Sequence, residues 1–148
     1  MDKLQIKVKN TSKNQIPGYG KIGNSGMDVR ANLDFPVMLE PGERKLIPSG
    51  LFFELPENIE IQVRPRSGLA LNKGVTVLNT PGTVDSNYRG EVCIILINLG
   101  QEKVEIEPGE RIAQLVFSPV LVVDLTEVEE IETETERKDT GFGNSGRI

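Results

Sequence analysis

The 148-residue sequence predicts an all-β fold, a distorted jelly roll or barrel-like sandwich with one short helix and a flexible Gly-rich C-terminal arm. Three observations carry that expectation. Short runs of apolar residues alternate with polar ones at a period of two, the period at which a strand turns successive side chains to opposite faces. The runs are separated by PG, PS, PE, NKG, TPG, NLG and SP, whose backbone preferences favour turns over continued strand. Only one internal stretch has helical character, so no set of helices is available to cover a parallel sheet.

In chain order, KLQIKV at 3–8 places Leu4, Ile6 and Val8 on one face of a first strand. Further strands are expected at KLI 45–47, LFFEL 51–55, IEIQV 59–63, VTVL 75–78, EVCIILIN 91–98, KVEIE 103–107, RIAQLVF 111–117 and VLVVDL 120–125. The helix is SGLALNK at 67–73, with Ser67 as a candidate cap and Leu69, Ala70 and Leu71 favouring the helical state. EPGER occurs at 40–44 and again at 107–111, with Pro and Gly at the centre of a type II turn. Five residues are too few for a structural repeat, so one turn is used twice. From residue 124, DLTEVEEIETETE holds seven acids and no base, which reads as a solvated linker. The expected organisation is a β domain over 1–126, then an acidic linker and arm over 127–148.

Composition excludes several classes of function. No apolar run approaches the roughly 18 residues of a membrane-spanning helix, and MDKLQIKVKN lacks a secretory signal, so an intracellular, cytoplasmic protein with no membrane partner is expected. The 17 basic and 22 acidic residues give a net charge of -5, which opposes general nucleic-acid binding. One cysteine, Cys93, rules out an internal disulfide, and its apolar setting suggests a small buried side chain. There is no histidine, so the usual zinc sites and every nucleophile system built on histidine are unavailable. A hydrolase of this composition would use Asp or Glu as its base and a metal that favours oxygen, such as magnesium.

Five segments carry more Gly, Arg, Asp and Ser than strands require: SGMDVRA 25–31, PRSGLA 65–70, NTPGTVDSNYRGEV 79–92, GERIAQLVF 109–117 and RKDTGFGNSG 137–146. At PRSGLA, the free N–H groups of a short helix together with Arg66 would favour an anion, although a capped turn with a surface Arg reads equally simply. NTPGTVDSNYRGEV has the form of a hairpin presenting Asp85 and Tyr88. Asp85 reads as a candidate base able to take a proton from water, or as an ordinary turn aspartate. SGMDVRA is equally the start of a strand. In GERIAQLVF, Ile112, Leu115 and Phe117 suit packing, whereas Arg111 and Gln114 suit a ligand. Phe142, set between two glycines, has nothing sequential to pack on and suits stacking on a planar group.

In this order and spacing the five segments resemble the five motifs of the trimeric dUTPase family, the deoxyuridine triphosphate nucleotidohydrolases, from about residue 17 to the C-terminus. The resemblance implies a jelly-roll subunit, a homotrimer with active sites shared between subunits, and conversion of dUTP and water to dUMP and pyrophosphate. Magnesium would be held mainly by the substrate phosphates, with no direct protein ligand. It implies Asp85 as the catalytic base. Asn79 with Gly82, Thr83 and Val84 would read uracil, and Tyr88 would pack on the deoxyribose. Arg66, Ser67, Gly68 and Gln114 would contact phosphates, with Asp28 and Arg111 in support. Arg137, Phe142, Gly143, Asn144 and Ser145 would close over the nucleotide. The family arm more often reads R-G-x-G-G-F-G-S-T-G; this chain has Lys138, Thr140, Asn144 and Ser145 in place of two glycines, a serine and a threonine. A deaminase of the same superfamily would shuttle protons with a glutamate where this chain presents the shorter Asp85.

Overall fold

A computed structural model describes residues 2–143 and 146. Eleven strands and one helix are assigned among them: β1 Lys7–Asn10, β2 Gly26–Arg30, β3 Val37–Leu39, β4 Arg44–Pro48, β5 Leu51–Glu54, β6 Ile59–Arg64, α1 Ser67–Lys73, β7 Val75–Val77, β8 Gly82–Val84, β9 Cys93–Asn98, β10 Val104–Ile106 and β11 Arg111–Pro119. A four-stranded sheet runs β2-β11-β6-β8 and a three-stranded sheet β4-β9-β7, with two-stranded ladders β1-β5 and β10-β3 beside them. Every pairing is antiparallel. The fold is of the jelly-roll type.

The period-two pattern becomes the core. Ile59, Ile61 and Val63 of β6 are buried while Glu60 and Gln62 are not, and Ile94, Leu96 and Asn98 of β9 are buried while Cys93, Ile95 and Ile97 are only partly so. The inward residues of both main sheets join one cluster that includes Val29, Ile47, Ile61, Ile94, Leu96, Ile112 and Leu115. Asn98 lies in it without cost: its amide donates to Leu39 O at 2.9 Å and Glu102 O at 2.8 Å, and its Oδ1 accepts from Gly100 N at 2.9 Å.

Strand β11 breaks the alternation, and the break matters for everything built on it. Arg111 faces Arg30 and Ala113 faces Val29, so Ile112 is an extra residue, a β-bulge. Simple alternation would send Arg111 and Gln114 to opposite faces. The bulge turns both outward, beside Asp28 and Arg30, and buries Ile112, Ala113 and Leu115.

Both EPGER turns have the same construction. Gly42 and Gly109 have φ of 79° and 78°, Glu43 N donates to Glu40 O, and Glu110 N donates to Glu107 O. The Glu43 and Glu110 carboxylates reach back to the Glu40 and Glu107 N–H groups. The turns follow β3 and β10, which pair with each other.

Several expectations are corrected. The first strand begins at Lys7, and Leu4 is exposed. Strand β3, VML between Pro36 and Glu40, was not anticipated because three residues show no period. Ser67 does not cap α1: the N-cap position is Arg66, with no side-chain cap bond, and Ser67 is the first helical residue. The segment 79–92 is not a hairpin, since β7 pairs with β9 and β8 with β6 in the other sheet. Cys93 is half-buried. VLVVDL at 120–125 forms no strand; after Val120 N donates to Asn58 O the chain leaves the sheets, and Leu121, Val122 and Leu125 are 85%, 86% and 90% exposed.

Leu115 is fully buried at the middle of the central strand. Leu115→Ala should lower unfolding free energy by about 2–5 kcal/mol in a denaturant titration, whereas Leu71→Ala, on the exposed face of α1, should change it by less than about 0.5 kcal/mol.

Candidate active site

Strand β8 lays Gly82, Thr83 and Val84 against Val63, Gln62 and Ile61 of β6. Gly82 and Val84 point inward and Thr83 outward. A Cβ at Gly82 would stand 3.1 Å from Val63 Cβ, so the absent side chain lets β8 close onto Val63, with the Asn79 amide alongside. The chain then leaves the sheet in a turn, with Tyr88 N donating to Asp85 O at 3.1 Å. Asn79, Gly82, Thr83, Val84, Asp85 and Tyr88 line one cleft of about 350 Å³, floored by Val63, Val77 and Val92. All six were singled out from the sequence, and the structure brings them together. Asn79, Asp85 and Tyr88 are solvent-exposed.

Glu91 and Cys93 also line this cleft and were not anticipated as site residues. The signal was present in EVCIILIN: with Val92, Ile94 and Leu96 facing the core, Glu91, Cys93 and Ile95 face the other way. The Glu91 carboxylate accepts from Gly50 N at 2.7 Å. Burial pushes the Cys93 thiol above the ordinary thiol range, and the charge of Glu91 and its hydrogen bond with the thiol push the same way.

A second group forms where β2, β11 and the start of α1 meet. Asp28 bridges two arginines, with Arg66 Nε on Oδ1 at 3.1 Å and Arg111 Nη1 on Oδ2 at 3.2 Å. Arg66 Nη1 also donates to Arg111 O at 3.1 Å. Gln114 Nε2 donates to Pro65 O at 3.0 Å. A Cβ at Gly26 would overlap Gln114 Oε1 and lie 3.2 Å from its Cδ, so glycine there leaves room for the amide. Asp28, Arg111 and Gln114 line a broad cleft of about 880 Å³ with Gln15, Tyr19 and Lys21. Ser67 and Gly68 are exposed at the start of α1, with open space over Gly68. The clefts are separate, and neither is lined by residues of the other.

The arm lies apart from both. Arg137 Nε donates to Thr140 O at 2.9 Å, and Thr140 Oγ1 donates to Arg137 O at 2.7 Å, closing a small turn. Lys138, at a position the resemblance gives to glycine, has φ 52°, in the left-handed region that glycine enters without strain. Phe142 is fully exposed and Gly143 follows at φ 87°. Asn144 and Ser145 lie outside the described residues.

The Cys93 thiol should stay protonated through neutral pH. Its alkylation rate plotted against pH should have a midpoint above that of a free cysteine, and Glu91→Gln should move the midpoint down. A parent midpoint at or below the free thiol's would contradict this arrangement.

The sequence model of the dUTPase family matches residues 5–146. The deoxyuridine 5'-triphosphate nucleotidohydrolase of Bdellovibrio bacteriovorus is 54% identical over 149 residues, covering 99% of each chain. The dUTPase of Staphylococcus bacteriophage 80alpha, solved with dUPNHPP, superposes with a TM-score of 0.87 at 27% identity, covering 97% of this chain and 99% of that one. A variant of the dUTPase from phage phi11 of S. aureus, in which a structural Mg(II) ion is coordinated, gives a TM-score of 0.78 at 22% identity over 87% of this chain and 99% of that one, a likeness of fold alone. With the family model spanning nearly its whole length and a relative identical at more than half its positions, the chain belongs to the dUTPase family.

Proposed function

We propose that the chain is a dUTP diphosphatase in which Asp85 directs water onto the α-phosphate, releasing dUMP and pyrophosphate. The observation that carries the reading is the shared cleft: Asn79, the β8 backbone, Asp85 and Tyr88 open onto one space of nucleoside size. In this reading Asp85 takes a proton from the attacking water, whose oxygen bonds to the α-phosphorus as the bond to the β-bridging oxygen breaks. Asn79 and the N–H groups of β8 donate to uracil O4, where cytosine would present a donor instead. In this reading a backbone close to the base also leaves no space for a thymine methyl. Tyr88 packs on the deoxyribose and excludes a 2'-hydroxyl. Removing dUTP limits uracil incorporation into DNA, and the dUMP formed supplies dTMP synthesis.

Arg66, Ser67, Gly68 and Gln114 cradle the phosphates, with Asp28 fixing Arg66 and Arg111. Gln114, Asp28 and Arg111 line a cleft separate from that of Asp85, and in this reading the complete site joins the two from different copies, in a homotrimer. The exposed apolar run at 120–125 supports that assembly, since it is strand-like in sequence and has no partner ladder within the described chain. The acidic linker then carries Arg137, Phe142, Gly143, Asn144 and Ser145 to a neighbouring site, where Phe142 stacks on uracil and closure excludes water. Among the described residues no three acidic, cysteine or histidine side chains cluster as a metal site. The donor set suits a magnesium ion ligated by triphosphate oxygens and water, and such an ion would neutralise charge on the phosphates.

Asp85→Asn should abolish magnesium-dependent pyrophosphate release from dUTP, with a fall of at least about a thousandfold in kcat, while binding of a non-hydrolysable dUTP analogue persists. The parent should leave dTTP, dCTP and UTP nearly untouched. Turnover by Asp85→Asn at the parent rate would refute the base assignment. Placing charge in the apolar run, Leu121→Asp with Val123→Asp, should lower the mass measured by sedimentation from three chains towards one. A parent that sediments as a monomer would remove the shared-site account.

A further inference from the structure

We infer that Gly90 sets the sugar selectivity of the site by leaving the space in which the Tyr88 ring lies. This rests on the reading of Tyr88 as the wall of the deoxyribose pocket. A Cβ at Gly90 would overlap the Tyr88 hydroxyl oxygen, and would stand 2.6 Å from Cζ and 2.9 Å from Cε1, distances real Cβ contacts do not reach. Backbone conformation does not explain the glycine, because φ at Gly90 lies outside the left-handed region. What glycine provides here is room. The atoms that would have to give way belong to the end of a side chain and to no strand, so a methyl group at this position displaces the ring and leaves the fold intact.

The displaced ring would lose a defined seat. Its hydroxyl donates to Glu91 O at 2.8 Å, and the Glu91 carboxylate accepts from Gly50 N at 2.7 Å, fastening the segment to the turn between β4 and β5. At its other end Tyr88 N is tied to Asp85 O. The ring is therefore fixed from below by Gly90, at its tip by Glu91 and at its root by the turn that carries Asp85. A rigid wall rejects a 2'-hydroxyl by overlap; a wall free to swing does not. Gly90 touches no substrate atom in this account and acts only through Tyr88.

The test is a double-mutant cycle on selectivity, with kcat/KM measured for dUTP and UTP in the parent, Gly90→Ala, Tyr88→Ala and the double variant. Gly90→Ala should lower the dUTP-to-UTP ratio by about tenfold or more, with an unchanged thermal midpoint. In the Tyr88→Ala background it should have no further effect on the ratio, because the atom it collides with is gone. A silent Gly90→Ala beside a selectivity loss in Tyr88→Ala would overturn the inference alone, as would an equal effect of Gly90→Ala in both backgrounds. A ratio unchanged by Tyr88→Ala, or a parent without dUTP turnover, would overturn the underlying reading and the inference with it.

Discussion

The extra residue in β11 is the constraint on which the polar face of the molecule depends. Strand β11 is the shared partner of β2 and β6, so its side chains define both the centre of the core and one row of the opposite face. A strand of strict alternation cannot place residues three apart on the same face. The bulge at Ile112 permits it, setting Arg111 and Gln114 on the side of Asp28 while Ile112, Ala113 and Leu115 fill the interior. One inserted residue thereby joins the packing of the sheet to the Asp28, Arg66 and Arg111 arrangement. Without it, either Arg111 or Gln114 would point into hydrocarbon.

The cleft beside Asp85 is built on a different principle. Its polar groups come from a short strand, β8, and the turn that follows, and two glycines act there by what they lack. Gly82 lets β8 press on Val63 with Asn79 alongside, and Gly90 lets the Tyr88 ring lie across the backbone. For the proposed uracil site, recognition by backbone groups at short range would suit discrimination between bases that differ by a methyl or by the direction of one hydrogen bond, because main-chain atoms do not move aside as a long side chain would.

How much of this was legible in the sequence depended on whether the information was local. The core strands were, since Ile59, Ile61 and Val63, or Ile94 and Leu96, carry their period in five or six residues. So was the grouping of Asn79 to Tyr88, which lie within ten positions of one another and share a cleft. The pairing of β8 with β6 was not, because TPG between two short apolar runs looks the same whether the chain returns beside itself or crosses to another sheet. Nor was the Arg66 bond to Asp28, a contact across 38 positions that diverts the side chain expected beside a helix terminus. Glu91 and Cys93 are readable only from the alternation around Val92, which turns them away from the core but does not say that a cleft lies there.

The run at 120–125 is where sequence and single-chain structure disagree most, and the disagreement has a physical content. Val120, Leu121, Val122, Val123 and Leu125 lie in chain with no ladder, followed by Val128 and Ile131, all exposed. Each such side chain is worth about 1.5–3 kcal/mol when buried, so the segment as it stands forgoes on the order of 10 kcal/mol before ordering costs. Intrinsic preference for a strand is satisfied only by an edge to pair with, and β11 already spends both of its edges on β2 and β6. In the proposed trimer the edge that receives this segment belongs to another copy of the chain. The seven acids from Asp124 to Glu136 favour a solvated stretch beyond the segment, which in the proposed reading leaves Arg137 and Phe142 free to reach a neighbouring site.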